Sequence, residues 1–112
     1  MIDAGFMAAI LDSLKDPVLV ADTEHTIRYL NRAAIVYYEE GESLLGRSLL
    51  DCHNERSCRM MVEILAAMQQ EGLVEQLITD DEKHRIFMRA VRDPQGHVLG
   101  YYERYEPPLA NI

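Results

Sequence analysis

The stretch from Lys83 to Tyr105 constrains this 112-residue chain more than any other. It reads KHRIFMRAV, then Arg92-Asp93-Pro94-Gln95-Gly96, then HVLGYYERY. Two runs rich in Ile, Phe, Val and Tyr flank a short turn. Pro94 presets φ for the second turn position, and Gly96 gives the chain the backbone freedom to re-enter a strand. The pattern predicts an antiparallel hairpin. On its first strand, period 2 places Ile86, Met88 and Ala90 on one face and Phe87, Arg89 and Val91 on the other. Neither face is wholly polar. One face is therefore expected to meet the chain's own helices, and the other a terminal helix or a second subunit.

The rest of the chain supplies those partners. Residues 3–15 form an amphipathic pattern: Phe6, Ile10 and Leu14 recur every four residues, widened by Met7 and Leu11. Asp3 is placed to cap this helix, and Asp16-Pro17 stops it. Its stripe either covers the chain's own sheet or pairs with its copy in a homodimer through Phe6, Ile10 and Leu14. PVLVAD (17–22) and TIRYL (26–30) read as two strands around a Thr23-Glu24-His25 turn, with His25 an exposed turn residue. Asn31 is placed to cap the helical segment RAAIVYYEE. A longer helix follows Asn54, with Cys58, Met61, Val62, Leu65 and Met68 along one face, and ends at Gly72. Leu73 to Thr79 is a third strand. Asp80-Asp81-Glu82 is an acidic turn into the hairpin.

Composition narrows the function. A chain this long builds one core. The net charge of −8 repels a nucleic-acid backbone, and the arginines are scattered, so direct nucleic-acid binding is not expected. No apolar run reaches membrane-span length and no signal-peptide start is present, so a cytoplasmic location without membrane contact is expected. Two cysteines, Cys52 and Cys58, are too few for a disulfide scaffold.

The order of elements and its landmarks, PVLVAD, IRYLNRAA, LLGRSL, the long helix and AVRDPQGHVLGYYE, resemble the PAS domain over roughly residues 6 to 106. GRSLLDCHNERS further resembles a subgroup with a Cys-His pair entering the long helix. The resemblance implies an α/β (α+β) fold: a five-stranded antiparallel sheet in the order 2-1-5-4-3 with helices on one face, preceded here by the N-terminal amphipathic helix. The expected organisation is residues 1–16 as that helix, 17–106 as the domain, and 107–112 as a tail. Glu106-Pro107-Pro108 stand where PAS domains often carry an Asp-Ile-Thr motif that couples them to the next module. Leu49 stands where the flavin-binding subgroup has its reactive cysteine.

The resemblance implies a non-enzymatic sensory module, coupled to an output domain or partner protein, with a small-ligand cavity between helices and sheet. The expected lining is Met61, Val62 and Leu65 from the long helix and Ile86 and Met88 from the hairpin. His53 and Cys58 would be its polar handles. An apolar lining suits a small apolar ligand or a flat cofactor. His53 is accordingly a candidate axial ligand for haem, with Met88 or another inward residue opposite, as in a gas or redox sensor. Its simpler role is a local hydrogen bond at the helix start. The cysteines and His53 lack the fourth ligand of a structural zinc site. A small enzyme on a similar curved sheet would need acid–base pairs that no motif supplies.

Overall fold

A computed structural model describes residues 2–109 apart from the Cys52 side chain; residues 110–112 of the expected tail lie outside that range. The elements run α1 (Ala4–Ser13), β1 (Val18–Asp22), β2 (Ile27–Leu30), α2 (Arg32–Tyr37), two 3-10 turns (Gly41–Leu44 and Leu49–Cys52), α3 (Glu55–Glu71), β3 (Glu75–Asp80), β4 (Arg85–Arg92) and β5 (Val98–Glu106). All five strands form one antiparallel sheet in the order β2-β1-β5-β4-β3. The order and the class are those the sequence implied.

The hairpin closes as its turn residues require. The Asp93 carboxylate accepts N–H groups from Gln95 and His97, both at 2.9 Å, and Gly96 takes φ +90°. A β-branched side chain resists that φ. One constraint on β5 lay unread in the sequence. Gly100 is buried, and a Cβ there would run into the Ala21 carbonyl of β1.

The two faces of the sheet differ. Ile86, Met88, Tyr101 and Tyr105 face inward and are buried with Leu19, Ile27, Met61, Leu65 and Met68 in the core. The outer face is covered by its own side chains, not by α1. Arg104 lies over the Phe87 ring at 4.2 Å and ion-pairs with Glu75 and Glu106. Arg89 joins Glu75 at 2.7 Å, and Arg85 joins Glu106 at the same distance. The arginine stems supply apolar cover while the heads stay hydrated.

α3 starts on the Asn54 cap, whose oxygen accepts the Ser57 N–H at 2.8 Å, and ends at Gly72 in the left-handed region. Arg92 of the hairpin donates to the carbonyls of Met68 at 2.8 Å and Leu73 at 3.1 Å, fastening the end of the helix to the sheet. Cations suit that end of a helix.

Asn31 does more than cap α2. Its side-chain oxygen accepts from Ala34 N–H and Val18 N–H, both at 2.9 Å. Its nitrogen donates to the carbonyls of Leu11 at 2.9 Å and Asp16 at 3.0 Å. With no exposed surface, this one carboxamide joins α1, the linker, β1 and α2. α1 itself contributes no buried residue. It is held from its polar side, by Tyr29 Oη donating to Asp12 at 2.8 Å and Arg32 N–H donating to the same carboxylate at 3.0 Å.

Asn31→Ala should therefore cost about 3 kcal/mol, a cap plus buried groups left unpaired. Asn31→Asp should be no better, because a carboxylate oxygen would then face two carbonyls. Urea unfolding of both variants checks this. An aspartate variant as stable as wild type would show that the nitrogen's two bonds contribute nothing.

Candidate functional site

A cavity of about 330 Å³ lies between the inner face of the sheet and the helical side. That volume sits at the lower end of small-molecule sites, which span about 300–1,000 Å³. Leu19 of β1, Ile27 of β2, Ile86 of β4 and Met61 of α3 make its apolar walls. Leu44 and Leu49, one from each 3-10 turn, add to them.

The sequence placed seven residues around such a cavity, and the structure brings three of them to it: His53, Met61 and Ile86. Leu65 and Met88 are buried in the core outside the lining. Val62 requires a correction. It is 46% exposed, because it lies one residue off the inward stripe that runs through Met61, Ile64, Leu65 and Met68. At 100° per residue the neighbour of an inward residue turns toward solvent. Cys58 is not a lining residue either; its thiol donates to the Leu50 carbonyl at 3.0 Å.

His53 stands at the open rim of the cavity, exposed on one side. Its Nδ1 lies 2.8 Å from the Leu49 carbonyl. A carbonyl only accepts, so Nδ1 carries the proton and Nε2 is left with a free lone pair whenever the ring is neutral. Among the described residues, no three His, Cys, Asp or Glu side chains gather as a metal site.

The cavity is more polar than the sequence suggested, and the polar groups come from β5 and from the end of α2. Strict alternation on β5 sends Tyr101, Glu103 and Tyr105 inward together. Glu103 is 5% exposed and lines the cavity. Burial pushes its carboxyl up to about 6, while the nearby His53 pulls it the other way. Tyr38, just past α2, meets Tyr105 hydroxyl to hydroxyl across the cavity wall. Burial, then the charge of Glu103, raises Tyr38, and burial is also the main cause for Tyr105, so both phenols stay protonated. Tyr105 also stacks on His84, with ring centroids 5.1 Å apart. Glu39, Glu40, Ser57 and Thr79 complete the polar lining. Glu40 is partnered by Arg47 from outside the cavity. The signal that could have found Glu103 was its phase: a lone acid in step with two inward tyrosines.

His25 also differs from expectation. It is 7% exposed, sits at φ +64°, and its Nδ1 is 2.7 Å from Tyr101 Oη. Burial lowers its pKa, against a smaller opposing pull from Asp22. The turn is tight enough to fold the ring inward, where the Tyr101 hydroxyl awaits it.

A family model for the PAS fold matches residues 11–108. The chain belongs to the PAS family. Solved structures of similar shape include a C-terminal domain from Streptococcus mutans, with TM-score 0.77 and 16% identity over 95% of this chain and 85% of that one. The PAS domain of BvgS from Bordetella pertussis matches with TM-score 0.66 and 16% identity, covering 95% of this chain and 86% of that one. The Aer2 receptor from Vibrio cholerae, described as a dual PAS-haem oxygen sensor, gives TM-score 0.58 and 16% identity over 83% and 94%. A comparison with curated protein sequences finds no match. Among the described residues, no helix is long and apolar enough to cross a membrane.

The raised carboxyl of Glu103 sets a pH dependence of stability. Its folded value of about 6 exceeds the ordinary 4.5, so the native state binds the proton more tightly than the unfolded chain. Stability present below pH 4.5 is then lost as pH rises through 6, by about 2 kcal/mol in all. Glu103→Gln should remove that decline and unfold at a higher temperature than wild type at pH 8. Parallel Tm curves for the two proteins between pH 4.5 and 7 would contradict the burial of this carboxyl.

Proposed function

We propose that this PAS domain is a sensory module in which a small molecule enters the cavity and shifts the packing of the helical side against the sheet. The observation that carries the reading is the cavity itself, walled by Leu19, Met61 and Ile86 and furnished with His53, Glu103 and the Tyr38–Tyr105 pair. Apolar walls with a few convergent polar groups are the usual form of a ligand site. A ligand acts only by the difference in its affinity for two packings. The end of α2 and the first 3-10 turn are the movable partners, since they border the cavity and lie outside the sheet, whereas Gly46 to Leu49 is tied to His25 and Ile27 by backbone hydrogen bonds.

Haem is the narrower reading, and one observation favours it: the free Nε2 of His53 is oriented by the Nδ1–H bond to Leu49. The lining weighs against it. Among the described residues it includes Glu39, Glu40 and Glu103 and neither Lys nor Arg, which leaves the two haem propionates without a counter-charge. A smaller ligand suits the volume and the charge better.

The module is also expected to form a homodimer through α1 and to work with an output domain or partner protein. Phe6, Met7, Ile10 and Leu14 are between 43% and 58% exposed, on or just past a helix that is anchored on its opposite side through Ala8, Leu11 and Asp12. A second copy covers such a stripe with the two-fold symmetry that most oligomers adopt. Phe6→Glu with Ile10→Glu touches no buried residue, so it should leave the fold intact and turn a dimer into a monomer by sedimentation velocity. Equal masses for the two proteins would refute the α1 interface.

The cavity reading is tested by narrowing it. Ser57→Trp fills the cavity from its half-buried rim without entering the core. Compounds that stabilise the wild type, by about 2.7 kcal/mol at one hundred times Kd, and so raise its Tm, should lose their effect on this variant. Equal stabilisation of both proteins would place binding elsewhere.

A further inference from the structure

We propose that the cavity selects a small cationic ligand, one whose amidinium or protonated amine pairs with the Glu103 carboxylate while its ring lies against Met61, Ile86 and Leu19. The inference rests on the sensory reading of the same cavity and names the class of ligand it takes.

Four observations carry it. Glu103 is 95% removed from solvent by the chain's own atoms, yet it lines open space within the fold. Among the described residues, no side chain or backbone group hydrogen-bonds its carboxyl, and the cavity lining has no Lys or Arg. Carboxylates that serve structure alone are ordinarily paired when buried. The outer face of this sheet follows that rule, where Glu75 and Glu106 each meet arginines. The exception faces the cavity. The remaining groups around Glu103 reinforce the selection. Tyr38, Tyr101 and Tyr105 are neutral, their phenols held protonated, with the negative charge of Glu103 among the causes. Tyr101 is already engaged by His25, and Tyr38 and Tyr105 are engaged with each other. Among the described residues, His53 is the one basic side chain that touches the space; it stands at the rim and, without a hydrogen bond to Glu103, acts on it only through its charge. Glu39 and Glu40 add acidic groups there, the second partnered by Arg47. An anion entering would meet these carboxylates without a fixed cation, whereas a cation would find an unpaired one at the cavity wall. The net charge of −8 favours the approach of cations as well.

Benzamidine, benzamide and benzoate test this as a set, because they share size and shape and differ in charge. Binding is followed by amide chemical-shift changes of the full chain at pH 8, where Glu103 is ionised. Benzamidine should perturb Met61, Ile86 and Glu103 and bind at least about tenfold more tightly than benzamide, the least expected of one charge-assisted hydrogen bond. Benzoate should bind more weakly than either. In Glu103→Gln, which keeps the shape and loses the charge, the preference for benzamidine should vanish while benzamide binding persists. Benzamide entering the cavity as tightly as benzamidine, or a preference that survives Glu103→Gln, would overturn the cationic selection and leave the cavity reading standing. If none of the three perturbs a lining residue, the cavity reading fails and this inference fails with it.

Discussion

β5 is hydrogen-bonded along both edges, to β1 on one side and β4 on the other, and its register fixes the interior. Period 2 leaves no freedom in which side chains point inward. Glu103 cannot turn to solvent without carrying Tyr101 and Tyr105 with it, since a one-residue slip reverses every side chain on the strand. Gly100 adds a second lock, because only a residue without Cβ lets β1 lie this close. The carboxyl is thus held inside by backbone geometry, against the preference of its own charge. The result is a raised carboxyl facing a cavity.

The helical side is fitted to that sheet by a few polar junctions. Asn31 gathers α1, β1 and α2 into one corner, and Arg92 ties the end of α3 to the hairpin. Between those two junctions lie the 3-10 turns and the stretch from Tyr38 to Glu40, which face the cavity. The leucines buried there, Leu44 and Leu49, are single anchors in short turns and not a continuous stripe. The firm junctions hold the frame, Gly46, Arg47 and Leu49 add backbone bonds to His25 and Ile27, and the stretch from Tyr38 to Leu45, whose backbone bonds are local, carries fewer constraints. Such a division suits a domain that must change one part of its surface while keeping the rest.

Much of this was legible in the sequence. The alternation of Ile86, Met88 and Ala90, the Pro94–Gly96 turn and the cap residues Asn31 and Asn54 each encode local geometry, and together they give the strand order through the PAS resemblance. The cavity was legible only in outline. Helical periodicity identifies the inward arc of α3 but resolves it coarsely, so Val62 was grouped with Met61, and Leu65 with the lining when it belongs to the core. Glu103 was obscured because acids are ordinarily assigned to the surface, although its phase with Tyr101 and Tyr105 said otherwise. His25 was obscured because a turn residue is ordinarily exposed, and the Tyr101 partner that draws it inward is distant in sequence. Pairings of that kind are set by tertiary contact, which no local pattern carries.

The central claim is that Glu103 sits ionisable and unpaired in the wall of the cavity. Carbon-detected NMR titration of the side-chain carboxyls measures this group by itself. The account predicts a midpoint of about 6 for Glu103, set apart from the exposed carboxylates. A midpoint at the ordinary 4.5 would contradict it, since a carboxyl titrating there is solvated and not enclosed by the fold.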